Sequence, residues 1–234
     1  MKKFMALLLV AGMTLSLTAC GGSTDTAKTD QADGKDTFTV GFDQDFPPFG
    51  YVGDDGEFTG FDIEMATECA ARMGKKIVLQ PIDWDAKDME LEAGTIDCIW
   101  NGFTMNGRED QYTWTDPYMD NSQVVVVKKD SGINTLADLA GKVVEVQKES
   151  AAETALNDEE HADLMASFAQ LLSVGEYNTA FMDLESGAVD AVAIDIGVAQ
   201  FQIEGKEDQY QILDETISSE QYYWAFAMVR SLQY

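Results

Sequence analysis

The sequence is poor in positive charge. Its 234 residues include 15 lysines and arginines against 42 aspartates and glutamates, so the formal net charge is −27 at pH 7. A chain this acidic repels the phosphates of nucleic acid and the headgroups of anionic lipid. We therefore expect no nucleic-acid partner, and we interpret the charge mainly as a source of solubility.

Histidine and cysteine are also scarce. The sequence holds one histidine, His161, and three cysteines, Cys20, Cys69 and Cys98, with no Cys-x-x-Cys pair. We therefore expect neither a metal site nor a cofactor. Cys69 falls in a helical pattern and Cys98 in a strand pattern, so both are most simply buried small apolar residues. A disulfide between them is the less favoured alternative.

The long apolar run of the chain lies at its amino terminus. Two lysines precede an apolar stretch at 4–17, which Leu17-Thr18-Ala19-Cys20 closes with small residues. The stretch is shorter than the ~20 residues of a membrane span, and it has the layout of a secretory signal. Either as a lipoprotein signal or as an ordinary one, it places the protein outside the cytoplasm.

The tetrapeptide ending at Cys20 resembles a bacterial lipoprotein box. This resemblance implies a signal peptide at 1–19 and a lipid, such as palmitate, on Cys20, so that the protein is anchored on the outer face of the cell membrane. An ordinary signal peptide with an incidental cysteine is the alternative. Residues 20–36, rich in Gly, Ser, Thr and Asp, would then form a flexible tether.

A pattern that occurs twice in the sequence indicates two similar halves. Residues 89–99 and 182–192 share Met, Leu, Glu, Gly and Asp in the same register. Each segment reads as a helix end, a left-handed glycine stop at Gly94 or Gly187, and a short buried strand. A chance likeness between two common helix–strand connections is the alternative.

Strands and helices alternate along the rest of the chain. Strand patterns occur at 37–42, 76–81, 98–100, 124–127, 143–146 and 191–194, and helical patterns at 60–73, 84–93, 135–140, 150–156, 178–186 and 196–203. The alternation predicts an α/β fold whose ligands bind beyond the carboxyl ends of parallel strands. Crossings near 127–129 and 214–220 would divide it into lobe 1 (37–127), lobe 2 (128–216) and a return to lobe 1 (217–234).

The loops after the two strands of this repeated pattern carry opposite charges. The first, which begins at Trp100 and Asn101, ends in Arg108, whose guanidinium can bind a carboxylate in a bidentate way. The second begins with Asp195, which is placed to hold an ammonium group. A cation and an anion that face each other across a cleft suit a zwitterion.

Two further segments follow strand ends. Ser150 and Glu153 form a capping box, which is either a helix cap alone or a cap that also offers an anion site. Asp43 and Phe46 follow the first strand. Singly, each would more often be structural, as a turn residue and a core residue, but their joint place at a strand end favours a ligand role.

These segments together resemble the extracellular solute-binding proteins, family 3, the receptors of ABC importers for polar amino acids. The resemblance rests on Val40-Gly41-Phe42-Asp43, Phe46-Pro47-Pro48-Phe49, Gly60-Phe61-Asp62-Ile63-Glu64, the run 97–104, Arg108, the run 114–118 and the run 187–191. It covers about residues 37 to 222. It implies a type II periplasmic-binding-protein-like fold: two α/β lobes joined by two crossing strands, with a ligand cleft between them.

Carried over by position, the resemblance implies which residues bind the ligand's α-carboxylate. Arg108 and Thr104 would bind it directly, Asn101 and Gly102 would line the same loop, and Ser150 would add a contact from the second lobe. Two departures weaken this assignment: Glu149 stands where the family often has glycine, and the loop to Arg108 is one residue shorter than in many relatives.

The resemblance also implies the rest of the site. Asp195 would take the α-ammonium group, Asp43 would face the side chain or the ammonium group, and Phe46 and Trp100 would be aromatic walls. The ligand is then a free amino acid, with polar or cationic side chains weakly favoured. The partners are an ABC transporter permease and, through the lipid alone, the membrane; the receptor is expected to be a monomer.

Two other functions remain open at this point. The fold also hosts lyases, but the sequence offers no histidine that could act as a catalytic base in the cleft and no second module. We therefore expect this protein to have no enzymatic activity. A ligand-sensing lipoprotein that signals to a partner is the other alternative, and sequence hardly separates it from an importer receptor.

The end of the chain departs from the family pattern. After Glu220-Gln221-Tyr222 the family continues through a strand and one or two helices, whereas this sequence stops at Tyr234. We therefore expect a truncated carboxyl terminus, a partly uncovered first-lobe core and lower stability than in intact relatives.

Overall fold

The computed structural model describes residues 36–228. The predicted signal peptide, the predicted lipid site at Cys20, nearly all of the predicted tether and residues 229–234 lie outside the described residues. Among the residues it describes, no helix has both the length and the apolar character needed to cross a membrane. Cys69 and Cys98 are both free thiols.

Thirteen strands occur between the described ends. They are β1 (Thr37–Phe42), β2 (Asp45–Phe46), β3 (Gly50–Val52), β4 (Phe58–Thr59), β5 (Lys76–Pro81), β6 (Cys98–Thr104), β7 (Tyr112–Trp114), β8 (Met119–Lys128), β9 (Val143–Gln147), β10 (Gln170–Val174), β11 (Ala191–Asp195), β12 (Tyr210–Ile212) and β13 (Ser218–Ala227).

The described part of the chain also forms six α-helices and three 3-10 helices. The α-helices are α1 (Phe61–Arg72), α2 (Lys87–Ala93), α3 (Ala151–Asn157), α4 (Ala162–Ser167), α5 (Tyr177–Ser186) and α6 (Ile196–Ile203). The 3-10 helices are Trp84–Ala86, Leu136–Leu139 and Glu159–His161. The predicted helix at 84–93 is thus a 3-10 turn followed by α2.

Most strands join one sheet in the order β10-β9-β11-β8-β13-β6-β1-β5, with β12 beside β8 and β7 beside β13. Strands β5, β1 and β6 run parallel and form what we call the first half-sheet. Strands β10, β9 and β11 also run parallel and form the second half-sheet. The parallel arrangement expected from strand–helix alternation is therefore present twice.

Two long antiparallel strands connect the half-sheets. Strand β8 pairs with β13 up to Gln123 and with β11 from Gln123 onward. The chain therefore crosses from one half-sheet to the other at Gln123, within β8. This point precedes the crossing predicted at 127–129. The predicted lobe boundaries stay predictions.

The valine run 124–127 shows why β8 is buried on both faces. Val124 and Val126 pack with α5 and α6, whereas Val125 and Val127 pack with α3. Successive side chains of a strand point to opposite faces, so an unbroken apolar run fits a strand covered on both sides.

The predicted repeat of helix, glycine and strand is present in the structure. Gly94 ends α2 with φ +70° and Gly187 ends α5 with φ +81°, and each is followed by a half-sheet strand that borders a connecting strand: β6 lies beside β13 and β11 beside β8. The two glycines permit a left-handed cap that most side chains resist. Consequently the carboxyl ends of β6 and β11 face the same region of the molecule.

Strand β6 is longer than the sequence predicts. Residues 101–104, expected in a loop, continue the strand because Phe103 and Thr104 pair with Tyr223 and Tyr222 of β13. The partner strand β13 lies far along the chain, in the segment predicted to return to lobe 1. Pairing with β13 therefore fixes residues 101–104 in a rigid element.

Gly60, just before α1, is expected to be sensitive to substitution. Its φ is +126°, and a Cβ there would lie 2.3 Å from the carbonyl oxygen of Phe49. Because the atom that the Cβ would meet belongs to the backbone and cannot swing aside, Gly60→Ala should lower the free energy of unfolding by about 3 kcal/mol or more. Gly56→Ala is the matched control, since Gly56 also has positive φ (+83°) but open space around it. Urea unfolding that gave the two variants equal losses would contradict this account.

Candidate ligand-binding site

A small cavity lies where the carboxyl ends of β1 and β6 face those of β9 and β11. Eight of the nine residues predicted from the sequence line it. They are Asp43, Phe46, Asn101, Gly102, Thr104, Arg108, Ser150 and Asp195. Sequence reasoning missed four other lining residues, Trp84, Phe103, Gln147 and Ala151.

Trp100 is the predicted site residue that the structure does not place in this cavity. It is fully buried with Phe38, Val40 and Cys98 against α1, and its ring stacks on Trp224 with centroids 3.4 Å apart. Trp100 and Cys98 share a face of β6 because strand side chains alternate. The aromatic walls of the cavity are instead Phe46, Trp84 and Phe103.

Arg108 reaches from the first half-sheet towards α3. Its Nη1 donates to the carbonyl oxygen of Thr104 at 3.2 Å, and its Nη2 donates to the carbonyl oxygen of Glu149 at 2.9 Å and to Thr154 Oγ1 at 3.1 Å. The guanidinium carbon also lies 5.3 Å from the centre of the Phe103 ring. These contacts hold a buried cation at one end of the cavity with only neutral oxygens as acceptors.

Gly102 contributes space and not a free donor. Its φ is +57°, and an added Cβ would lie 2.9 Å from Phe46 Cε1. Its N–H donates to Asp62 Oδ2 at 2.7 Å, so this backbone donor is already occupied. Asp62, a residue that sequence reasoning did not connect with the site, is fully buried, and this burial raises its pKa to about 7.

Ser150 is a helix cap, as one of the two sequence interpretations proposed. Its Oγ accepts a hydrogen bond from the N–H of Glu153 at 3.1 Å, and Glu153 Oε2 accepts one from the N–H of Glu149. Glu149 has φ +58°, a left-handed conformation that glycine adopts without strain. This backbone requirement accounts for the glycine that the family pattern favours at this position.

Asp195 lies at the other end of the cavity, at the carboxyl end of β11. Its Oδ1 accepts hydrogen bonds from Asn121 Nδ2 at 2.7 Å, Gln123 Nε2 at 2.7 Å and the hydroxyl of Tyr222 at 2.8 Å. Burial, and next the nearby Glu220 carboxylate, raise the pKa of Asp195 to about 7. The donors and Glu220 all come from the crossing strands β8 and β13, which sequence reasoning did not connect with the site.

Thr104 faces Glu220 as well as the cavity. The Thr104 hydroxyl donates to Glu220 Oε1 at 2.9 Å, while its carbonyl oxygen accepts from Arg108. Thr104 therefore stands between the cationic end of the cavity and its acidic end.

Asp43 joins the two sides of the cavity. Its Oδ2 accepts from Gln147 Nε2 at 2.6 Å, and its N–H donates to Asn101 Oδ1 at 2.9 Å. Burial is the largest effect on its carboxyl group and raises the pKa to about 6. Asp43 thus adds a second acidic group to the lining.

Several polar contacts tie the two sides together outside the cavity. Lys87, almost fully buried on α2, donates to Glu149 Oε2 at 2.6 Å. Lys148 and Asp85 form a second ion pair at 2.7 Å, and Asn178 Nδ2 donates to Asp45 Oδ1 at 2.7 Å. The segments around the cavity are therefore in direct contact with each other.

No group of three or more His, Cys, Asp or Glu within residues 36–228 is arranged to hold a metal ion. The chemical character of the cavity is that of a guanidinium at one end, carboxylates at the other and aromatic rings between them. Such a lining can bind a small molecule that carries both charges.

Comparison with known proteins gives consistent results. The sequence pattern of the bacterial extracellular solute-binding proteins, family 3, matches residues 38–180. The arginine-binding extracellular protein ArtP of Bacillus subtilis is 36% identical over 148 residues, which cover 63% of this chain and 56% of that protein. The L-cystine-binding protein TcyJ of Escherichia coli is 30% identical over 220 residues, which cover 93% of this chain and 79% of that protein.

Solved structures share the fold. A substrate-binding protein of an ABC uptake transporter from Streptococcus pneumoniae, with bound histidine, has a TM-score of 0.78 and 32% identity and covers 82% of this chain and 80% of its own. An ancestral arginine-binding protein bound to arginine has a TM-score of 0.75 and 35% identity, with coverages of 84% and 86%. The expected fold class, two α/β lobes joined by two crossing strands, is confirmed.

Proposed function

We propose that this chain, which belongs to the bacterial extracellular solute-binding proteins, family 3, is an extracytoplasmic receptor for a free amino acid. It closes around the ligand without chemical conversion and delivers it to an ABC-type importer. The observation that carries the proposal is the cavity itself, with buried Arg108 at one end and buried Asp195 at the other.

The α-carboxylate of the ligand is bound by Arg108. Its Nη2 now donates to neutral oxygens of Glu149 and Thr154. A carboxylate is a stronger acceptor for a guanidinium than a carbonyl or hydroxyl oxygen, because the bond is charge-assisted. Asn101, Thr104 and Ser150 line the same end of the cavity and complete this subsite.

The α-ammonium group is bound by Asp195, and Asp43 faces the ligand side chain. Two buried carboxylates in one small cavity favour ligands with polar or cationic side chains over acidic ones. Phe46, Trp84 and Phe103 enclose the apolar part of the ligand. The relatives named for arginine, cystine and histidine are consistent with this class.

Closure involves the two crossing strands. Strands β8 and β13 link the half-sheets, and a rotation about them would separate the walls of the cavity. Bonds such as Lys87–Glu149 and Gln147–Asp43 would break in that motion. A bound amino acid adds its own bonds to both walls and thereby favours the closed form.

Outside the described residues, Cys20 carries the lipid that holds the receptor at the outer face of the membrane. A monomer tethered through residues 20–36 stays close to its permease. Mass spectrometry of the membrane-bound protein tests this anchor, because Cys20→Ser should abolish the lipid and release the protein from the membrane.

A thermal-shift panel of the amino acids and cystine tests the receptor function. A ligand present at 100 Kd should stabilise the protein by about 2.7 kcal/mol, because it binds the folded state alone. We expect one or a few polar or cationic amino acids to raise the melting temperature, while aspartate and glutamate do not. A panel in which no amino acid shifts the melting temperature would contradict the proposal.

A further inference from the structure

Two buried carboxylates meet beside the cavity, next to the crossing strands. The Asn121 Nδ2 atom lies 2.7 Å from Asp195 Oδ1 and 2.7 Å from Glu220 Oε1. Gln123 Nε2 lies 2.7 Å from the same two oxygens. Since two amide groups bridge one pair of oxygens, the Asp195 and Glu220 carboxylates are close neighbours with shared donors.

No lysine or arginine of the described residues is bonded to this pair. Between residues 36 and 228, neither carboxylate forms an ion pair with a lysine or arginine. Asp43, from the segment after β1, adds further negative charge.

Three other titratable groups face the pair. They are Tyr177 from α5, Tyr222 from β13 and Arg108, which follows β6. Burial raises the pKa of both tyrosines well above the ordinary value, so they stay neutral. Arg108 donates its hydrogen bonds to neutral oxygens. Two adjacent buried carboxylates without a bonded cation favour retention of one proton.

We propose that Asp195 and Glu220 form a single proton-sharing ammonium site, in which the pair holds one proton in the free protein and exchanges it for the ammonium group of the ligand. The inference rests on the proposed function, because the ammonium group is that of the bound amino acid. On binding, one proton leaves for the solvent and one positive charge enters. The pair with its bound charge therefore keeps a net charge of −1.

The geometry gives the two carboxylates different parts in this exchange. Asp195 lines the cavity and contacts the ammonium group, whereas Glu220 is not among the lining residues and acts through Asp195. Oδ1 of Asp195 and Oε1 of Glu220 both accept hydrogens from the same two amides. Glu220 is thus a positioning residue that sets the charge of the site.

The exchange predicts the direction of two pH effects. The pKa of Asp195 is raised from 3.8 to about 7, so the folded protein holds this proton more firmly than the unfolded chain does. The stability of the free protein should therefore fall as pH rises from 4 through 7. Ligand affinity should be full above pH 7 and should fall about tenfold per pH unit below it.

Calorimetric titration with L-arginine and L-glutamine tests the exchange, because neither amino acid titrates between pH 5 and 8. Pairs of buffers with different ionisation enthalpies report the number of protons released. The wild-type protein should release close to one proton at pH 6, and its affinity should be about tenfold lower at pH 6 than at pH 8.

Two variants complete that experiment. Glu220→Gln keeps the acceptor Oε1 and removes the charge, so it should release fewer protons than the wild type at pH 6 and bind with a weaker pH dependence between pH 6 and 8, while the burial of Asp195 maintains the remainder. Glu160→Gln removes one exposed charge that contacts neither carboxylate and should behave like the wild type. Equal proton release from the wild type and Glu220→Gln would overturn the proposal.

A measurement on the free protein separates this inference from the proposed function. The melting temperature of Glu220→Gln should exceed that of the wild type at pH 8, and the difference should shrink at pH 5.5. A difference of the same size at both pH values would overturn the shared proton. If the difference shrank as expected but no amino acid of the panel bound at any pH, the proposed function would be wrong and the proton-sharing pair would stand.

Discussion

Arg108→Ala is expected to lower the affinity for the amino acid by about 30-fold to 5,000-fold. Removing one partner of a buried, hydrogen-bonded charge pair costs about 2–5 kcal/mol, much of it because the other charge is left unpaired. In this chain Arg108 is 8% exposed and its guanidinium lies over the Phe103 ring, so the site is largely shielded from water. Calorimetric titration with the tightest ligand of the amino-acid panel measures the loss.

Two control variants make the Arg108 result specific. Arg108→Lys keeps the charge but loses the planar fork, and it should recover only part of the affinity. Arg72→Ala removes an arginine whose side chain is 79% exposed, and it should leave binding unchanged. Undiminished binding by Arg108→Ala would contradict the assignment of the carboxylate subsite.

Asp195→Asn is expected to have opposite effects on binding and on stability. The variant keeps an oxygen for the donors Asn121, Gln123 and Tyr222 but loses the charge that faces the ammonium group. We expect a loss of affinity of about 2–5 kcal/mol, as for Arg108. The free energy of unfolding of the free protein should instead rise at pH 8, because a buried carboxylate beside Glu220 is removed.

The pH dependence of Asp195→Asn follows from the raised pKa. The energetic cost of ionising Asp195 in the folded state is full above pH 7 and absent below pH 4, so the stabilisation by the variant should disappear as the pH falls through this range. Urea unfolding at pH 8 and pH 4.5 measures it. Asp208→Asn, an exposed change of the same charge, is the control and should show neither effect. A variant that bound as tightly as the wild type would remove Asp195 from the ligand site.

Local signals in the sequence predicted the repeated helix–glycine–strand units correctly. Gly94 and Gly187 are left-handed helix ends in the structure, and each is followed by the half-sheet strand that borders a connecting strand, β6 beside β13 or β11 beside β8. These features depend on residues close together in the chain, where capping and burial patterns act. For the same reason Asn101, Arg108 and Asp195, which lie at or just after these strands, could be found from the sequence.

The crossing strands were less predictable because their partners lie far apart in the chain. Asn121 and Gln123 share one face of β8, but only the pairing of β8 with β13 and β11 brings them to Glu220 and Asp195. A strand period alone does not fix such a register. Trp100 was misplaced for a related reason, since extension of β6 through Thr104 decides which of its side chains face α1.

The most direct test of the account is a calorimetric comparison of three forms of the tightest ligand. They are the free amino acid, its methyl ester, which lacks the carboxylate, and its N-acetyl derivative, which lacks the ammonium group. Recognition of both charges by Arg108 and Asp195 predicts that each derivative binds at least about 30-fold more weakly than the free amino acid. Binding of either derivative as tightly as the parent would contradict the central claim that this cavity recognises a zwitterion.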